Sequence, residues 1–67
     1  MSTTASVVPT WAQVDRGFYV ASADGLFLGS VDRTSRRRYL ARDGQAAQIG
    51  TFDTFEQAQR AVLDHMN

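Results

Sequence analysis

The sequence predicts an α+β fold: a curled antiparallel β-meander of three or four strands packed against one C-terminal α-helix. Three observations predict it. Two Asp-Gly dipeptides, Asp24-Gly25 and Asp43-Gly44, each follow a short run rich in aromatic, aliphatic or small residues and precede another, as hairpin turns do. The stretch "IGTFDTFEQAQRAV", residues 49–62, passes from a strand through a turn into an amphipathic helix. The chain has 67 residues, which is room for a single small domain with one modest core.

The opening residues, "MSTTASVVPT", are small and polar, with neither a basic region nor an apolar run long enough for a signal peptide. We read residues 1–13 as a flexible arm and residues 14–67 as the ββ(β)βα domain. Trp11 reads better as a core or staple residue than as a ligand-stacking one. Residues 18–23, "FYVASA", suit a strand, and Asp24-Gly25 supplies the positive φ that both central positions of a type I′ turn need. Residues 26–33, "LFLGSVDR", return. Pairing Ala23 with Leu26 sets Ala21 opposite Leu28 and Phe18 opposite Val31. Phe18, Val20, Phe27 and Val31 then share one face of the hairpin, and Tyr19, Ala21, Leu26 and Leu28 the other.

"TSRR" turns the chain into a third strand, residues 37–42, and Asp43-Gly44 leads to a fourth, residues 46–52. Glycines inside strands weaken them unless they mark bulges or a close backbone approach, so Gly29 and Gly50 predict one or the other. "YVASADGLFLGSVDRT" and "YLARDGQAAQIGTFDT" echo one another, which suggests two similar hairpins in one meander. For the helix, Thr54 with Gln57 makes a capping box, and Asp53 with Glu56 is the alternative register. The helix runs from about Phe55 to His65 or Met66, with Phe55, Ala58, Ala61, Val62 and Met66 on its apolar face.

Net charge is zero, but it is unevenly placed. All seven basic residues are arginine, and five of them, Arg33, Arg36, Arg37, Arg38 and Arg42, fall in a stretch without an acid. That stretch carries +5 and the rest of the chain −5. With no cysteine, disulfides and thiolate zinc sites are excluded. One histidine makes no metal cage, and no nucleophile–base set, paired carboxylates or phosphate-cradling glycine loop points to an enzyme or a cofactor. No segment suits a membrane span, and the absence of cysteine fits a reducing cytoplasm, where we place the chain.

"RRYLARDGQAAQIGTFDTFEQAQRAV" resembles the AP2-like family and the related arm-binding domains of phage integrases. The likeness is carried by Tyr39, Ala41, Gly44, Ile49-Gly50-Thr51-Phe52-Asp53-Thr54, Glu56, Ala58 and Ala61, and covers about residues 38–62. The family's usual tryptophan is tyrosine here, and Ala46, Ala47 and Gln48 stand where basic or aromatic readers are often found. The resemblance implies a sheet that enters the DNA major groove with a helix on its back, and an origin in a phage or mobile element. It puts Tyr39, Ala41 and Ile49 against the helix. Arg38, Leu40, Arg42 and Gln48 then lie on the open face and Arg36 and Arg37 at the hairpin tip, provided the loop at Asp43-Gly44 is longer than two residues.

The leading expectation is a small DNA-binding accessory or regulatory protein that uses Arg33, Arg36, Arg37, Arg38, Arg42 and Gln48. The alternative is a protein-binding module, such as a phage-encoded inhibitor docking on a host nuclease, polymerase or CRISPR effector. It would present Phe18, Val20, Phe27 and Val31 and set its basic tip in a partner's acidic groove. A homodimer built on the apolar face is a third reading.

Overall fold

In a computed structural model, residues 9–65 are described. They form five antiparallel strands and one helix: β1 (Thr10–Asp15), β2 (Phe18–Ala23), β3 (Leu26–Ser35), β4 (Arg38–Asp43), β5 (Gln48–Phe52) and α1 (Phe55–His65). The strands form one sheet in the order β1-β2-β3-β4-β5, an uninterrupted meander, with α1 lying across β3, β4 and β5. The α+β class is as the sequence predicts, with one strand more. Residues 10–13, expected in a flexible arm, are strand: Trp11 pairs with Ala21 and Gln13 with Tyr19. Residues 1–8 of that expected arm lie outside the described residues, as does Met66.

Each ladder carries one bulge, and the bulges set which side chains reach the core. Ala23 pairs with Leu26 as expected, and Asp24 (φ 52°) and Gly25 (φ 77°) make the positive-φ turn. The register then slips at Leu28, so Ala21 faces Gly29, Tyr19 faces Val31 and Phe18 faces Asp32. A one-residue slip moves every later side chain to the opposite face. Val31, expected on an exposed face with Phe18 and Val20, is therefore 0% exposed and stands beside Ala41 in the core. The second hairpin repeats the device: Ala41 faces Gly50, Ile49 is the extra residue, and Arg42 faces Gln48. The echo in the sequence thus corresponds to two hairpins, each with an Ala–Gly pair followed by a bulge.

The core consists of Val31, Ala41, Ala58 and Val62, with Trp11, Tyr39, Ile49, Phe52, Phe55 and Ala61 packed around it. Fully burying a valine stabilises by about 1.5–3 kcal/mol, so Val31 and Val62 are large contributors in so small a core. The alanines and Gly29 let the helix come close. A Cβ built on Gly29 would lie 2.7 Å from Val62 Cγ1 and 2.5 Å from the Arg42 carbonyl oxygen. Phe55, the first helical residue, is clasped by three rings from three strands: Tyr19 at 4.6 Å, Trp11 at 5.8 Å and Tyr39 at 6.0 Å between centroids. Such pairs add about 0.5–1.5 kcal/mol each beyond their buried area. Trp11 is thus a packing residue that ties β1 to the helix.

Thr54 caps the helix. Its Oγ1 accepts from the Gln57 N–H at 3.1 Å, while Gln57 Oε1 accepts from the Asp53 N–H at 3.2 Å, a contribution of about 1 kcal/mol. At the far end, Asp43 shapes a four-residue loop, longer than a two-residue turn, so β5 begins at Gln48 instead of residue 46. Its Oδ1 accepts from the N–H groups of Gln45 (2.8 Å) and Ala47 (3.0 Å), and its Oδ2 lies 3.2 Å from His65 Nε2. No described helix is long and apolar enough to cross a membrane.

Candidate nucleic-acid interface

Directly paired residues share a face of a sheet. The ladders therefore place two rows on the face away from the helix. One row runs Asp15, Phe18, Asp32, Leu40, Thr51; the next runs Ala12, Val20, Ser30, Arg42, Gln48. Arg38, two residues before Leu40, continues this face towards the β3–β4 turn and pairs with Ser35. Along β4, Arg38 and Arg42 are about 13 Å apart, four residues of extended chain. Arg42 and Gln48, singled out separately in the sequence, are direct cross-strand partners. Tyr39, Ala41 and Ile49 lie on the helix side.

The β3–β4 hairpin overhangs its neighbours. Pairing with β2 stops at Asp32 and pairing with β5 at Tyr39, so residues 34–38 project as a two-stranded ribbon with Arg36 and Arg37 at its turn. Arg36, Arg37 and Arg38 are all exposed. Among the described residues the one carboxylate in contact with a basic side chain is Asp43, beside His65, so no carboxylate pairs with these arginines. Arg42 is half-buried, and its Nε is buried without a hydrogen-bond partner. Arg33 differs from the others: it pairs with Tyr39, on the helix side, and its guanidinium is engaged within the hairpin.

Two residues were missed in the sequence. Exposed Arg16 sits in the β1–β2 turn, which meets the base of the arginine ribbon because the Arg33 N–H donates to the Gly17 carbonyl at 2.7 Å. Nothing local marks Arg16, since its placement depends on a strand, β1, that composition alone did not reveal. Asp32 is the second: the bulge turns it to the open face, between Phe18 and Leu40, so an acid stands among the basic and apolar groups.

Of the apolar candidates, Phe18 and Val20 are half-buried on the open face, and Phe27 is 46% exposed opposite Ser22. Val31 does not join them. At the opposite end of the sheet from the ribbon, Phe27, Leu28, Val62, Asp43 and His65 line a cleft of about 450 Å³. Among the described residues no three potential metal-ligating side chains lie together. No protein-family model matches the chain, and neither does any curated protein or solved structure.

Proposed function

We propose that this domain binds duplex DNA, as a small accessory or regulatory protein of AP2-like type, through the β3–β4 ribbon and the adjoining open face of the sheet. The observation that carries this reading is the overhanging ribbon itself, with three exposed arginines that have no carboxylate partner among the described residues. Arginine forks suit phosphate oxygens and guanine edges, and a two-stranded ribbon fits a major groove. In this reading Arg36, Arg37 and Arg38 contact the backbone, while Arg42 and Gln48, which share one rung of the sheet, meet base edges. Arg16 adds a further cation at the same end.

A second reading, in which the open face docks a protein, is favoured by Phe18, Val20 and Phe27 and by the zero net charge. Fluorescence anisotropy with a mixed-sequence duplex separates the two. The DNA reading expects binding at low salt that is lost in an Arg36→Ala/Arg37→Ala/Arg38→Ala variant of unchanged thermal stability. Equal affinity in that variant counts against the ribbon as the contact. No binding at low salt removes the DNA reading and leaves the protein-docking one.

A further inference from the structure

The arginine ribbon is held in shape by side chains of its own, chiefly Arg33. Arg33 Nε donates to the Ser35 carbonyl oxygen and Arg33 Nη2 to the Arg36 carbonyl oxygen, both at 3.3 Å. The same guanidinium lies over the ring of Tyr39, 5.9 Å from its centroid. Thr34 also bridges the two strands, its hydroxyl donating to the Arg38 carbonyl oxygen at 3.3 Å. The base of the ribbon is fixed by the Arg33 N–H bond to Gly17. These contacts act on a part of the sheet that lacks flanking strands and also concentrates like charge, where a hairpin would otherwise splay.

We propose that Arg33 is a positioning residue: it leaves the ligand to Arg36, Arg37 and Arg38 and locks the overhanging ribbon so that these three meet a polyanion in one arrangement. The proposal rests on the DNA reading above. Its physical basis is preorganisation. A ribbon already ordered in the free protein is spared the cost of ordering its side chains on binding. The role needs arginine rather than lysine, because two carbonyls and a ring face are met at once by a planar fork that an ammonium lacks. It also reassigns a residue that charge alone groups with the ligand contacts.

The test uses the full chain in four forms: wild type, Arg33→Ala, Arg33→Lys and Thr34→Val. Amide hydrogen exchange of residues 36–38 is measured in the free protein, and affinity for a mixed duplex is measured over a salt series. Loss of the brace predicts faster exchange at these amides in all three variants. It also predicts affinity about two- to tenfold weaker at fixed salt, with the dependence of log K on log salt unchanged in Arg33→Ala. Thr34→Val, which alters no charge, moves both readouts in the same direction. A salt slope reduced by about 0.9 in Arg33→Ala identifies a phosphate contact and overturns the proposal. So does wild-type affinity in Arg33→Lys, or unchanged exchange in Arg33→Ala. Absence of duplex binding by the wild type overturns the DNA reading and the presentation role together, while the exchange data still judge the brace by themselves.

Discussion

At Gly29 the sheet leaves no room for a side chain between the helix and the neighbouring strand. Any side chain there collides with the Arg42 carbonyl, which is backbone and cannot swing away, and with Val62, which is fully buried. Gly50, its counterpart in the second hairpin, meets only the edge of the Phe52 ring, at 3.5 Å, an ordinary contact. We expect Gly29→Ala to destabilise by about 1–3 kcal/mol, the usual cost of overpacking a core. Gly50→Ala should cost clearly less. Urea unfolding midpoints of the two variants check this, and equal shifts would contradict the close-approach role. The need for a special feature at both glycines was legible in the sequence, because strands rarely tolerate glycine without one. Which residue would be extruded beside each glycine was not. Leu28 looks like an ordinary strand residue, so Val31 was carried to the wrong face. The slip is decided by tertiary packing: it puts Val31 under the helix and leaves Gly29 where Val62 needs space.

Among the elements, the helix and its cap were the most legible, since Thr54, Gln57 and the spacing of Phe55, Ala58 and Val62 all agree locally. β1 was the least legible. "TWAQVD" lies next to a small polar segment, and its strand character comes from pairing with β2 and from Trp11 packing on Phe55, neither of which is local. The β4–β5 loop carries a prediction of its own. Hydrogen bonds from the Ala47 and then the Gln45 N–H, with a smaller contribution from His65, hold the Asp43 carboxyl below the usual aspartate range. A group whose pKa is depressed on folding stabilises fully above its unfolded value, near pH 4, and loses that contribution as pH falls through the folded value. Asp43→Asn should therefore lower stability at neutral pH and flatten the decline below about pH 4. Thermal midpoints from neutral pH down to the acid range measure it. A decline as steep as that of the wild type would show that Asp43 contributes nothing to it.

At the scale of the whole molecule, the meander separates two kinds of surface. One side of the sheet is closed by the helix, so packing decides its residues. The other side, together with the ribbon, is left uncovered by any described element and collects Arg38, Arg42, Gln48, Phe18 and Val20. Charge clustering made Arg36, Arg37 and Arg38 legible from the sequence, and alternation along β4 placed Arg38 and Arg42 on one face. The overhang, the internal engagement of Arg33 and the arrival of Arg16 depend on where neighbouring strands end. We propose that nucleic acid is bound by the ribbon and the open face. The most direct measurement is a backbone-amide NMR titration with a mixed-sequence duplex at low salt. Binding at the ribbon predicts shifts concentrated at residues 34–38, Arg42, Gln48 and Arg16, with the exposed positions of α1 unmoved. Shifts centred on α1, or none at all, would contradict it.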